Sequence, residues 1–281
     1  MYTSKQVRLL DPKEVFKKRQ VLLDRLRSLD SLLVAFSGGV DSTFLLAVAH
    51  KGLGKKVLAV TAHSIIYPQS EIEEAVVFAK GLGVEHLLLH SEASSLPEFI
   101  ANPPERCYFC KKSLFEHLRE IARQRGIRHI AHAANMDDFG DFRPGWKAAE
   151  EMGIIAPLVD ARLTKEDIRF LSKEMGLSTW DKPSMACLAS RIPYGETITE
   201  TKLRMIGEAE KEIASHGFSQ YRVRAHGLSA RIELHPSEMN RILEPELRER
   251  IAAKLKELGF LYVSLDLEGY VTGSMNRELK K

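Results

Sequence analysis

The sequence predicts an α/β fold, in which a doubly wound parallel sheet is followed by a smaller C-terminal α+β domain. Two observations predict it: short apolar runs alternate with helical patterns up to residue 132, and the order of elements changes beyond Trp180. Strands that alternate with helices are typical of parallel sheets covered by helices. We therefore predict a first domain over residues 1–187 and a second over residues 188–281.

The elements of the first domain follow one another regularly. An amphipathic helix is predicted over residues 12–30, because apolar side chains recur there at helical spacing. The continuous apolar run at 32–36 suits a buried parallel strand. The remaining predicted strands are 56–61, 85–89 and 128–132, and the remaining helices are 42–50, 69–81 and 108–124.

The second domain begins after a loop at 182–195 that is rich in Pro, Ser and Gly. A pair of strands is predicted to turn at Gly227. The predicted elements are helix 199–216, strands 221–226 and 229–235, helix 238–258 and strand 262–266. This order predicts a small α+β unit.

Composition excludes several classes of protein. Of the 281 residues, 44% are hydrophobic and 28% are charged, as in ordinary globular domains. The formal charge of +3 gives no overall field for nucleic acid, and no run of 18 apolar residues predicts a membrane span. The first residues lack the apolar core of a signal peptide. We expect a cytoplasmic protein with neither a nucleic-acid partner nor a membrane.

One glycine-rich motif follows the first strand directly and opens a helix. It reads Ser37-Gly38-Gly39-Val40-Asp41-Ser42-Thr43. Two glycines allow the backbone to approach an anion closely, and free amides at a helix start attract phosphate. The spacing differs from the Walker and dinucleotide motifs. The alternative is an ordinary strand-to-helix turn that Asp or Ser caps.

This motif resembles the signature of the PP-loop ATP pyrophosphatases. The resemblance implies an open parallel sheet that binds ATP, cleaves it to AMP and pyrophosphate, and transfers AMP to a substrate. It also implies that Asp41 helps to hold Mg²⁺. Adenine is expected near Ala35 and the segment from Thr61 to Ser64. The phosphates are expected on Ser37, Gly38, Gly39, Ser42 and Thr43.

The chain has three cysteines, an odd number, and the expected compartment is reducing. Metal binding or catalysis is therefore favoured over a disulfide framework. Cys107 and Cys110 lie three residues apart where the chain leads into a predicted helix, a spacing that places two side chains on one helix face, whereas Cys187 stands alone in a loop. The residues alone leave three interpretations open. These are two packed cysteines in a helix, a zinc site completed by His117 or His132, and a 4Fe-4S cluster with one open iron.

Three segments resemble the LarE family: residues 180–195, 141–145 and 107–112. Similarity at 265–270 and 273–276 extends the resemblance over nearly the whole chain. LarE proteins supply sulfur for the nickel-pincer nucleotide cofactor of lactate racemase. The resemblance implies that ATP adenylates the carboxylates of pyridinium-3,5-biscarboxylic acid mononucleotide, which then become thiocarboxylates.

Members of this family differ in their source of sulfur. In some, a single cysteine gives up its own sulfur and becomes dehydroalanine, and the positions of Cys107 and Cys110 are not cysteines. The cysteines present here imply the other type, in which Cys107, Cys110 and Cys187 hold a 4Fe-4S cluster whose open iron carries a replaceable sulfide. Sulfide or another sulfur donor would reload it. The resemblance also implies a homo-oligomer such as a hexamer.

The family match assigns roles to further residues. The catalytic set is Cys187, Asp41, Lys111 and Glu210. The substrate-binding set is Arg143, Ser190, Arg191, Arg222, Arg224 and Glu233. Arg222 and Arg224 alternate along a strand and so point to one side, as a phosphate clamp requires, although a solvated basic face fits the same pattern. By sequence, Glu210 and Glu233 fit surface carboxylates equally well.

Two other functions fit parts of the sequence. A PP-loop tRNA thiolase can use a three-cysteine cluster, but it needs a wider basic surface than a charge of +3 provides. A non-catalytic nucleotide or iron-sulfur sensor would bind ATP without substrate-dependent release of pyrophosphate. The intact phosphate loop favours the enzyme.

Overall fold

A parallel sheet lies at the centre of the computed structural model, which describes residues 10–140 and 144–280. The described strands are β1 (Leu32–Ala35), β2 (Val57–His63), β3 (Glu85–His90), β4 (His129–Ala131), β5 (Tyr221–His226), β6 (Ser229–Leu234) and β7 (Tyr262–Leu265). The order in the central sheet is β3-β2-β1-β4, and each neighbouring pair is parallel.

Helices cover both faces of this sheet. The helices of the described residues are α1 (Pro12–Arg27), α2 (Val40–Leu53), α3 (Gln69–Leu82), α4 (Pro97–Ile100), α5 (Arg106–Gln124), α6 (Pro144–Glu151), α7 (Pro157–Asp160), α8 (Lys165–Glu174), α9 (Glu200–Ser215), α10 (Met239–Ile242) and α11 (Pro245–Glu257). Leu32 and Val34 of β1 pack in the core that contains α1 and α2, whereas Leu33 packs with Phe115 of α5. Successive side chains of a strand point to opposite faces, so the predicted doubly wound arrangement is confirmed.

A second, mixed sheet follows in the order β5-β6-β7. Strands β5 and β6 are antiparallel and pair Tyr221 with Leu234, whereas β6 and β7 are parallel. The core behind this sheet contains α9 and α11, and it also includes Ile66, Ala93 and Phe99 from the N-terminal part of the chain. The same core includes Leu188 and Ala189, so it holds the chain next to Cys187.

One predicted helix is wrong. Residues 238–258 do not form a single helix. They form two helices, α10 and α11, because the helical backbone is interrupted before Pro245. Glu244 has φ −56° and ψ 127°, the extended backbone that a following proline favours. The missing N–H of Pro245 is tolerated at the first position of α11.

The other predicted elements are confirmed to within three residues at each end. Pattern analysis missed α4 and α6 to α8, which are short or lie between turns. Within residues 10–140 and 144–280, every helix is too short or too polar to cross a lipid bilayer.

Candidate active site

The glycine-rich loop lies at the carboxyl end of β1 and leads into α2. Hydrogen bonds within the loop fix its shape: Ser37 N donates to Ser42 Oγ (3.2 Å), and Ser42 Oγ donates to Gly39 O (3.1 Å). Ligands bind at this edge of open parallel sheets, and the first amides of α2 are free to bind an anion there. Thr43 is fully buried, and its Oγ1 has no hydrogen-bond partner among the described residues.

Position 38 requires glycine, which has no side chain. It has φ +72°, and a Cβ there would lie 3.0 Å from Ala75 Cβ and 3.3 Å from Glu71 O of α3. Any other residue at this position would strain the left-handed backbone and clash with α3. The loop is therefore packed tightly against α3.

Substitution Gly38→Ala is expected to weaken ATP binding at least about tenfold and to lower the free energy of unfolding by about 1–3 kcal/mol. Calorimetric ATP titration and thermal unfolding measure the two effects. Gly81→Ala, in α3, is the control: a Cβ there meets nothing within 4 Å, so Ala should stabilise slightly. Unchanged ATP affinity in Gly38→Ala would contradict the role of the loop.

Asp41 stands in the first turn of α2 and pairs with Lys165 of α8, at 2.6 Å from its Oδ2. Its Oδ1 is buried without a hydrogen-bond partner among the described residues. Burial raises the pKa of Asp41, and Lys165 opposes this rise. A carboxylate with one uncommitted oxygen beside an anion-binding loop fits the donor chemistry of Mg²⁺.

Two lysines at the loop were missed in the sequence. Lys165 reaches Asp41 from α8, and Lys182 lies 2.8 Å from Glu71, 2.7 Å from Glu74 and 3.5 Å from Gly38 O. Spacing gave no signal for Lys165, which is 124 residues from Asp41. Both lysines therefore lie at the phosphate loop, where carboxylates pair with them.

The residues expected around adenine line the carboxyl ends of β1 and β2. Ala35 is the last residue of β1 and pairs with Val60. The Thr61 hydroxyl is committed to the protein, because it donates to Phe36 O (2.8 Å) and lies 2.8 Å from His86 Nε2. Ser64 begins the turn after β2, where its carbonyl accepts from Tyr67 N.

The three thiols are close enough to influence one another. Burial raises the pKa of Cys110 to about 12, with further contributions from Cys187 and Cys107 and an opposing one from Lys111. Cys110 and Cys187 pack against the second core, Cys107 is exposed, and Tyr67 hydrogen-bonds to Cys110. In the described part of the chain, however, no three His, Cys, Asp or Glu side chains are arranged to hold a metal ion. The thiols converge without forming a preformed ligand set.

Lys111 lies between the cysteines and the end of β4. Its Nζ is 5.8 Å from the Phe115 ring, and its Cγ would be 3.0 Å from a Cβ on Gly145. Gly145 therefore allows α6 to approach α5 at the cysteines. Arg143, which the sequence predicts to bind substrate, lies outside the described residues.

His132 follows β4 and packs between Phe115 and Trp146. Burial, and then the charge of Lys111, lower the pKa of His132 to about 4. A lowered pKa contributes stability above the ordinary value of 6.5, and this stability is lost as pH falls toward 4.

We expect the free energy of unfolding to fall by up to about 3 kcal/mol between pH 6.5 and pH 4 because His132 must be protonated. Denaturant unfolding at several pH values, compared with His132→Gln, measures this contribution. The variant should show a shallower decline. Parallel curves for the two proteins would show that His132 does not couple to folding.

Arg191 and Glu210 form a buried bidentate ion pair that holds the Cys187 loop. Arg191 Nε and Nη2 donate to the two Glu210 carboxylate oxygens, each at 2.8 Å. Arg191 Nη1 also donates to Cys187 O (3.1 Å) and to Ser190 Oγ (2.8 Å). Glu210 Oε1 accepts from Val223 N (3.0 Å). The surface position that the sequence allowed for Glu210 is therefore wrong.

Arg222 and Arg224 are also buried, so the solvated basic face is wrong. Arg224 pairs with Glu233 through two hydrogen bonds of 3.0 and 2.8 Å and donates to Ser190 O. Arg222 instead donates to carbonyls at Tyr221 and Ser184. Burial, and then the charge of Arg191, lower the pKa of Arg222. An added anion would stabilise its charge.

Comparison with known proteins identifies the family of the chain. No protein-family model matches the chain. An uncharacterised protein of Synechocystis sp. is 41% identical over 253 residues, which cover 90% of this chain and 94% of that protein. A pyridinium-3,5-bisthiocarboxylic acid mononucleotide synthase of Lactiplantibacillus plantarum is 36% identical over 265 residues, covering 94% of this chain and 95% of that protein. The chain belongs to the LarE family.

More distant similarity extends to another enzyme. GMP synthase of Aeropyrum pernix is 27% identical over 200 residues, which cover 64% of this chain and 39% of that protein. These similarities support the predicted PP-loop fold, whose family is one of ATP-binding proteins. LarE membership also confirms that the chain is an enzyme of sulfur transfer.

Proposed function

We propose that this LarE protein adenylates the carboxylates of pyridinium-3,5-biscarboxylic acid mononucleotide and converts them to thiocarboxylates for the nickel-pincer cofactor of lactate racemase. The observation that carries the proposal is the 36% identity, over 94% of the chain, to a pyridinium-3,5-bisthiocarboxylic acid mononucleotide synthase. The intact phosphate loop and the converging thiols supply the two halves of that chemistry.

Adenylation is the first half. A carboxylate oxygen of the substrate attacks the α-phosphorus of ATP, and the bond from that phosphorus to pyrophosphate breaks. Free amides at the start of α2 stabilise the phosphate charge. Lys165 and Lys182 lie beside them and would contribute positive charge on exchanging their carboxylate partners for phosphate. Asp41 would hold Mg²⁺, which neutralises phosphate charge when it is bound.

Sulfur transfer is the second half. Sulfide attacks the carbonyl carbon of the acyl-adenylate, and the carbon–oxygen bond to AMP breaks as AMP leaves. Cys107, Cys110 and Cys187 would hold a 4Fe-4S cluster, which when bound presents sulfide on its open iron. Lys111 lies near the Cys110 thiol, where it can stabilise negative charge on the carbonyl oxygen.

The substrate phosphate is assigned to the buried arginine face of the second sheet. Arg224 is already neutralised by Glu233, whereas Arg222 has carbonyl partners and no ion pair among the described residues. Arg222 therefore supplies the positive charge that no carboxylate compensates. Ser190 lies beside Arg224, because its carbonyl accepts a hydrogen bond from Arg224 Nη1. A phosphate monoester matches that charge and geometry.

A labelled-sulfide assay tests the proposed function. Anaerobically reconstituted protein, ATP and Mg²⁺ should transfer label to the pyridinium mononucleotide and release pyrophosphate only when that substrate is present. Label in tRNA instead would overturn the proposal, and ATP binding without pyrophosphate release would indicate a sensor.

Iron and sulfide analysis tests the cluster separately. We expect about four irons per chain and a charge-transfer absorption that Cys187→Ala weakens. If reconstituted protein holds no iron, Cys187 becomes the sulfur donor itself, and its conversion to dehydroalanine should remove the mass of H₂S once per chain. We also expect a cytoplasmic homo-oligomer, which light scattering checks.

A further inference from the structure

The two cysteine-bearing segments meet at Asn102, five residues before Cys107. Asn102 is fully buried and has φ 55°, a left-handed backbone that non-glycine residues adopt only at a cost. Its Nδ2 donates to Pro193 O (2.6 Å) and Glu196 O (2.9 Å), in the loop that follows Cys187. A buried side chain with two strong hydrogen bonds offsets the cost of this backbone.

Backbone hydrogen bonds continue the same contact. Gly195 N donates to Asn102 O (2.9 Å), and Ile198 N donates to Ile100 O (2.9 Å). Directly after Cys187, Leu188 N donates to Ile66 O (2.8 Å). The segment 188–198, which begins directly after Cys187, is therefore fixed to the N-terminal part of the chain at its start and at its end.

Arg106 extends this contact to the residue next to Cys107. It is only 3% exposed, and its Nη1 donates to Asn102 Oδ1 (2.6 Å). Its guanidinium lies 4.7 Å from the centre of the Tyr194 ring, and Nη2 is 3.4 Å from Met275 Sδ. Among the described residues, the buried Nε of Arg106 has no hydrogen-bond partner, and the partners of its guanidinium are an amide oxygen, a ring and a thioether, none of them a carboxylate.

Burying an arginine without a carboxylate partner costs free energy, so stability alone does not explain a buried arginine at this position. Arg106 instead orients Asn102 and stacks on Tyr194, so it joins the start of α5 to the loop after Cys187. We propose that Asn102 and Arg106 are positioning residues that set Cys187 against Cys107 and Cys110. This role deepens the proposed function, because it rests on the three thiols acting as one site.

A thiol cross-linking ratio tests this role. Reduced, metal-free full-length protein is treated with a short bis-maleimide, and peptides from the monomer band are counted by mass spectrometry. The ratio compares links from Cys187 to the pair on α5 with the link between Cys107 and Cys110. The second link lies within one helix, so it is an internal reference.

Asn102→Asp keeps the shape of the side chain but removes both amide donors, and Arg106→Leu removes the bond to Asn102. Each should lower the ratio about fivefold or more. Val15→Ala, a core deletion in the distant α1, should lower the melting temperature and leave the ratio unchanged. Arg106→Lys should retain part of the ratio.

A wild-type ratio in Asn102→Asp and Arg106→Leu, or an equal fall in Val15→Ala, would overturn the positioning role. The ratio requires neither ATP nor a cluster. If the two variants lower the ratio as expected but the wild-type protein transfers no sulfur, the positioning role stands and only the proposed function is overturned.

Discussion

Cys187→Ala is expected to abolish thiocarboxylate formation, by a factor on the order of a thousand or more, while substrate-dependent release of pyrophosphate continues for at least one turnover. The reason is spatial. Cys187 packs with Cys110 in the second core, whereas the phosphate loop is held by its own hydrogen bonds and by α3. Parallel assays of pyrophosphate and of labelled thiocarboxylate measure the two halves.

The matched variant for this experiment is Asp41→Asn. It leaves the thiols intact and should lose both activities, because thiocarboxylate cannot form without adenylation. Thermal unfolding should show both variants to be folded. Undiminished thiocarboxylate production by Cys187→Ala would remove Cys187 from the reaction, and with it the shared three-thiol site.

Glu210→Ala is expected to lower the free energy of unfolding by about 3–5 kcal/mol, the largest stability effect that we predict. The substitution leaves the Arg191 guanidinium buried without its carboxylate. It also deprives Val223 N of its acceptor, inside β5. Denaturant unfolding measures the loss, and sulfur transfer should fall as well because Arg191 no longer holds Cys187 O.

Two controls separate the buried pair from carboxylate loss in general. Glu120→Ala removes an exposed partner of Arg123 on α5 and should leave the unfolding midpoint unchanged. Replacing both members of the buried pair, with Arg191→Met and Glu210→Leu, should recover part of the stability. A loss in Glu210→Ala no greater than that in Glu120→Ala would contradict the buried-pair interpretation.

The sequence predicted the features that consecutive residues encode. The phosphate loop is a contiguous motif between a strand and a helix, so its position at the carboxyl end of β1 followed directly. The alternation of apolar runs with helical patterns likewise predicted the parallel sheet, because period and length separate strands from helices. Pro245 indicates a helix break in the sequence, but the helical pattern continues on both sides of it and favoured a single helix.

The charges and their partners required the tertiary structure. Whether Glu210 is a surface carboxylate or the buried partner of Arg191 depends on how α9 packs against the Cys187 loop, and no local pattern specifies that packing. Lys165 meets Asp41 across 124 residues. The sequence alone determined the fold class and the ATP-binding loop, because neighbouring residues encode both. Only the tertiary structure decided which charges are buried and paired, since those contacts join residues that are distant along the chain.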